Sequence, residues 1–226
     1  MIRVHVICEG QTEEMFVNEV LAAEFYPQGI YLVPALIGKP GHKGGNFRFE
    51  RLLTDVENRL LGERQAYCTT FFDFYGLPEE FPGKAEANTK GTMNEKADCL
   101  MSAMTSRLQQ KLGDDPMRRF IPYIQMYEFE GLLFSCPELL AAGISQHALR
   151  DQFQNIRDAF DTPEMINNSR ITAPSKRILN LYDGYEKPLH GSLAAIEIGL
   201  AAIRAECQRF DAWLKSIEAL QLGKQV

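Results

Sequence analysis

The sequence predicts an α/β protein with a mainly parallel, Rossmann-like sheet of about four strands, flanked by helices and followed by a helical C-terminal region. Three observations carry this. Short apolar runs rich in β-branched and aromatic residues recur at Ile2–Cys8, Ile30–Ile37, Ala66–Phe72 and Arg118–Tyr127. Between them lie segments with apolar residues at helical spacing, the alternation expected of crossover-connected parallel strands. Beyond Cys136 the alternation gives way to helical patterns alone, so residues 1–135 read as the core and 136–226 as a helical region packing on it, in one compact unit.

Within 226 residues, 45% apolar content is ample for a core. No apolar stretch approaches the ~20 residues needed to span a bilayer, and the N-terminus lacks the basic and apolar regions of a signal peptide. A cytoplasmic protein without membrane contact is expected. The five cysteines are odd in number and lack paired CxxC spacing, against both a disulfide framework and a structural zinc site. A net charge of -6 does not advertise a nucleic-acid binder, yet an enzyme that gathers acids can still hold phosphate with a local basic rim. Basic clusters occur at Lys39, His42, Lys43, Arg48 and Arg51, at Arg118 and Arg119, and at Lys176, Arg177, Lys187 and His190. Solvated surface charge is the alternative reading of each.

The first strand ends in Glu9-Gly10, and Thr12 is the expected N-cap of a helix that runs to about Phe25, with Glu13 and Glu14 in its first turn. A carboxylate is thereby set at the C-terminal edge of a strand, where open α/β sheets form their crevice. The second strand leads into the glycine-rich basic loop at 38 to 46, whose backbone amides and lysines suit phosphate. It lacks the Walker spacing. Asn46 is the expected cap of a helix whose inner face is Phe49, Leu52, Leu53, Val56 and Leu60.

The third strand delivers Asp73, which is either turn chemistry before Gly76 and Pro78 or a functional acid beside Glu9. Residues 79–91 read as a polar, mobile loop, and Thr92-x-x-Glu95 as a capping box starting a helix with Ala97, Leu100, Met104 and Leu108 inside. The fourth strand, with Pro122 marking an edge or a bulge, ends in Glu128 and Glu130. Both are candidate site acids; the alternative reading has one facing the site and the other solvent. Helices are expected at about 137–142, 146–160, 174–182 and 192–222, the last with a break and with Phe210, Trp213, Leu214, Ile217 and Leu220 on its packing face.

In a parallel sheet the strand ends lie on one side, so Glu9, Glu13, Asp73, Glu128 and Glu130 can converge. Like charges at that separation require protons or divalent cations, and an all-oxygen donor set with no His or Cys suits Mg2+ or Mn2+.

These residues resemble the Toprim fold of topoisomerases, primases and the overcoming-lysogeny-defect nucleases. More closely, CEGQTEEMF at 8 to 16, FFDFYGLP at 71 to 78, YEFEGLLF at 127 to 134, APSKRI at 173 to 178 and CQRFDAWL at 207 to 214 resemble the bacterial family called domain of unknown function 4276, itself Toprim-like. The resemblance implies a Toprim-like core and metal-dependent phosphodiester hydrolysis, as a DNA or RNA nuclease that is the effector of a bacterial anti-phage defence system. Glu9, Asp73 and Lys176 would be catalytic; Glu9, Glu13, Asp73, Glu128 and Glu130 would hold the metal. Lys39, Lys43, Lys176, Arg177 and His190 would meet phosphate. Nucleic acid, a partner ATPase and a homo-oligomeric copy are the partners implied. The chain departs from the Toprim Asp-x-Asp pair at Tyr75. That leaves open a catalytically inactive binding or regulatory module partnering an ATPase; the glycine-rich loop alone supports a third reading, a flavodoxin-like nucleotide-binding protein.

Overall fold

The computed structural model describes residues 1–38, 47–167 and 169–224, the side chains of 222–224 excepted. Lys39, His42, Lys43 and Asn46, with most of the glycine-rich loop, lie outside the described residues.

Four parallel strands, β1 (Ile2–Cys8), β2 (Ile30–Leu36), β3 (Tyr67–Phe71) and β4 (Phe120–Ile121), form one sheet in the order β2-β1-β3-β4. Alternate residues of β1 divide the molecule into two layers. Val4, Val6 and Cys8 join a core with Phe16, Leu21, Phe25 and the C-terminal residues Phe134, Phe210, Trp213 and Leu214. Ile7 on the other face joins Leu52, Val56, Leu60, Leu100 and Met104, from the helices Phe49–Gly62 and Met93–Leu112. Helices on both faces of an all-parallel sheet define a doubly wound, Rossmann-like α/β fold, as expected. The C-terminal helices complete one face of the sheet instead of forming a core of their own.

Several local expectations are corrected. The first helix starts at Gln11 with Gly10 in the N-cap position, so Thr12 lies inside the first turn; Glu13 takes the Gly10 amide at 2.8 Å and does the capping. That helix reaches Phe25 through a π-helical stretch, Val17–Leu21. The helix at Phe49 starts with Arg48, not Asn46, in the N-cap position. The fourth strand is two residues long where ten were expected, since Pro122 has no amide to donate to the ladder; pairing with β3 returns only as the Asp73–Gln125 bridge. Residues 79–91 hold a helix, Lys84–Asn88, and bury Phe81, Lys84 and Ala87, so this stretch is anchored and not the loose loop its polarity suggested. The Thr92/Glu95 capping box is present as expected. The long C-terminal helix is broken at Gly199, in a left-handed conformation at φ 77°, and again at Cys207, giving Ser192–Ile198, Leu200–Glu206 and Gln208–Glu218. All five cysteines are free thiols.

Candidate functional site: a buried carboxylate cluster

Strand order reverses between β1 and β3, the place where a doubly wound sheet opens a crevice at its C-terminal edge. The two strands deliver Glu9 and Asp73 there side by side. Glu9 donates its amide to Phe71 O at 3.2 Å and accepts the Asp73 amide on Oε2 at 3.0 Å. Beyond Asp73 the chain turns through Phe74–Gly76, and the Glu9 carboxylate lies directly on Gly76: a Cβ added there would come within 2.0 Å of it. Any side chain at this position would push the Glu9 carboxylate from its place.

Glu13, one helical turn beyond Glu9, is 6% exposed, and Asp73 is 7% exposed. The Asp73 carboxyl oxygen Oδ1 is buried without a hydrogen-bond partner. Burial first, and then the neighbouring charge of Glu9, pushes the Glu13 carboxyl up to about 7. Burial, reinforced by Glu13 and Glu9, drives Asp73 well above the ordinary aspartate range. Burial also raises Glu9, opposed by the Asp73 amide and the Lys187 ammonium.

The chain enters the third acidic corner through Tyr127, a non-glycine residue held at φ 63° with its carbonyl taking the Tyr75 amide at 3.1 Å. Such a conformation costs roughly 1–3 kcal/mol and persists only where its surroundings impose it. Both Glu128 and Glu130 turn toward Lys187, so neither faces solvent as in the alternative reading. Glu130 is fully buried, accepting from Lys187 Nζ at 2.9 Å and from Tyr185 Oη at 3.4 Å. Glu128, half-buried, lies 3.8 Å from the same ammonium and takes the Ser175 amide at 2.8 Å. Burial would by itself lower Lys187, but Glu130, Asp73 and Glu128 outweigh it and hold the ammonium above the usual lysine range.

Lys187 is thus the cation of this cluster. It belongs to a basic group visible in the sequence, but no local pattern singles it out, because its partners lie some 57 residues away. The other basic residues expected to meet phosphate in this part of the chain make different contacts. Lys176 is exposed on the first turn of the helix Pro174–Leu181, whose backbone at Ser175 holds Glu128. Arg177 donates to Thr172 O at 2.8 Å and stacks over Phe160, a packing role. His190 takes the Glu186 amide at 2.9 Å and stacks on Tyr185, one step behind Glu130.

A second lysine escaped the sequence altogether. Lys84, 1% exposed, donates to the Phe74 carbonyl and sits over the Phe74 ring at 3.2 Å, bracing the turn that carries Asp73 and Gly76. Burial pushes its ammonium down to about 7.

The donor chemistry suits a hard divalent cation, and the partnerless Asp73 oxygen is the atom with most to gain from one. Glu9, Glu13 and Asp73 would hold it, with buried Glu130 and half-buried Glu128 beside them. As the side chains stand, no group of three His, Cys, Asp or Glu among the described residues is arranged to coordinate an ion. Burial raises Glu9, Glu13, Asp73 and Glu130, which favours their protonated forms, and Lys187 offsets the charge of Glu128 and Glu130.

Fold and site together define a Rossmann-like α/β protein with a buried carboxylate cluster at its topological switch point. The model of the family described as Domain of unknown function (DUF4276) matches residues 8–218, and the chain belongs to that family. No curated protein and no solved structure matches it. No described helix is long and apolar enough to cross a membrane.

Proposed function

We propose that this chain is a divalent-metal-dependent phosphodiesterase, a nuclease acting on DNA or RNA. The observation that carries the reading is the buried Asp73 carboxyl, one oxygen unpartnered, set against Glu9 and Glu13 at the switch point of the sheet. A bound Mg2+ or Mn2+ would polarise the phosphoryl oxygens and lower the pKa of a coordinated water. The protein's own groups divide the remaining work. Glu9, its carboxyl raised by burial and anchored through Oε2 to the Asp73 amide, is placed to exchange a proton with a group bound at the cluster. Lys187 stays charged and stands beside Glu128 and Glu130, where it can compensate phosphate charge. The Toprim resemblance extends the proposal to a cytoplasmic effector of an anti-phage defence system working beside an ATPase.

The test uses the full chain. Mn2+ is expected to raise the melting temperature and to support hydrolysis of a labelled oligonucleotide; Asp73→Asn should abolish both while leaving the metal-free melting temperature equal or higher. Unimpaired metal-stimulated hydrolysis by Asp73→Asn would refute the assignment.

A second reading has its own support in the absence of a ready three-acid arrangement among the described residues and in Tyr75. In a non-hydrolytic binding module, Lys187 would permanently take the place of the metal. Mn2+ would then leave the melting temperature of the wild-type chain unmoved.

A further inference from the structure

We infer that Tyr75, packed against Tyr127 and capped by Arg170, is a stacking seat for a nucleobase adjoining the phosphate held at the carboxylate cluster. The inference rests on the phosphodiester reading and adds to it a subsite for the base beside that phosphate.

Tyr75 lies in the chain between two parts of the cluster: Asp73 two residues before it, and Gly76, the seat of the Glu9 carboxylate, immediately after. Its ring is held on the inward side by two buried aromatics, Tyr127 at 5.6 Å between centroids and Phe74 at 5.7 Å. Tyr127 in turn directly precedes Glu128 and is held at φ 63°. The phenol donates to Asn167 Oδ1 at 2.7 Å, which fixes the ring's orientation. A half-buried aromatic therefore follows Asp73 in the chain by two residues and packs on the residue that precedes Glu128, with its position fixed by packing, a hydrogen bond and a strained neighbour.

The outward contact is different in kind. The Arg170 guanidinium lies 5.5 Å from the Tyr75 centroid, its side chain 63% exposed, and its ion pair with Glu79 is a loose 3.8 Å between exposed groups. Such a pair holds weakly, so Arg170 can swing away from the ring at little cost. A guanidinium plane and a phenol ring both stack on nucleobases, and every base offers a π face, so a base entering between them would be sandwiched without sequence preference. Aromatic rings beside a cationic phosphate site are how single strands are gripped: Lys187 and a cation held by the acids would take the backbone, and the ring would take the base.

The test compares binding of decathymidylate, or decauridylate if only RNA binds, with an abasic decamer of the same backbone. The full chain is used, in Ca2+ to suppress turnover. Wild type should prefer the base-bearing oligomer by about tenfold, the size of one stacking contact. Tyr75→Leu, which keeps bulk without a π face, should lose that preference, Tyr75→Phe should keep most of it, and the exposed Arg170→Ala, which carries little risk to folding, should reduce it. Equal wild-type affinity for both oligomers, or a preference surviving in Tyr75→Leu, overturns the stacking seat while leaving phosphodiester binding standing. Failure of wild type to bind either oligomer overturns both.

Discussion

At the scale of single residues, the cluster is governed by how burial and mutual repulsion distribute protons. Glu13 shows this most directly. Its folded pKa, about 7, lies above its ordinary 4.5, so the protonated native state gains stability that is complete below about pH 4.5 and is lost as pH rises through 7. Glu13→Gln mimics the protonated acid and keeps an oxygen for the Gly10 amide. At pH 8 the variant should be more stable than wild type, by on the order of 1–3 kcal/mol, and the difference should vanish near pH 4. Denaturant melts of both proteins across this range check it; a pH-independent difference would show that Glu13 acts only as a helix cap. The same protons explain why a divalent cation should bind more tightly at pH 8 than at pH 6, since it must displace them.

At the scale of elements, the decisive piece is the short turn Phe74–Gly76. Three unrelated parts of the chain meet on it: the Glu9 carboxylate against Gly76, the Lys84 ammonium on the Phe74 carbonyl, and the Tyr127 carbonyl on the Tyr75 amide. Gly76→Ala would place a methyl where the Glu9 carboxylate lies, and Gly76 itself is exposed with no positive φ to strain. The carboxylate must therefore move, while the fold has little reason to fail. The expected result is loss of at least tenfold in metal-dependent hydrolysis, about 1.4 kcal/mol in the barrier, with a melting temperature within a few degrees of wild type. A variant with wild-type turnover would show that the Glu9 position is not critical.

The turn also marks where sequence reading stopped. The run FFDFYG announced a strand end and an acid, because periodicity and turn residues are local signals. Lys84 was hidden in a stretch whose composition is that of a loop. Its burial comes with the carbonyl and ring of Phe74, ten residues back in the chain, a contact that composition does not encode. Pro122 predicted an edge, and the edge is there, but not that the ladder would shrink to two residues and one bridge. The acids were found at their strand ends. That Lys187 pairs with them was not legible, because only the tertiary fold sets it apart from the other basic residues of its cluster, Lys176, Arg177 and His190.

At the scale of the whole molecule, one half of the core is shared between the sheet and the last ninety residues. Trp213, the single tryptophan, donates to Thr69 Oγ1 of β3 at 2.8 Å and stacks on Tyr123 at 4.3 Å with the planes 9° apart. Phe16, from the first helix, touches Phe129 and Phe210 within 6 Å, so the N-terminal helix, the acidic corner and the C-terminal helix form one aromatic block. Fully buried Phe210 and Leu214 leave no seam along which the C-terminal helices could detach without exposing the sheet. Unfolding should accordingly be a single cooperative event despite the two-part pattern of the sequence. Tryptophan fluorescence, which reports on the junction at Trp213, and far-ultraviolet circular dichroism, which reports on all the helices, should give coincident melting curves with one midpoint. Trp213→Ala should lower that midpoint while leaving the circular dichroism transition single, at a cost of about 3–5 kcal/mol for a large aromatic removed from a core. Two separated transitions would mean that the helical region folds apart from the sheet, and Lys187, which reaches the acids from that region, would then be free to leave the site without global unfolding.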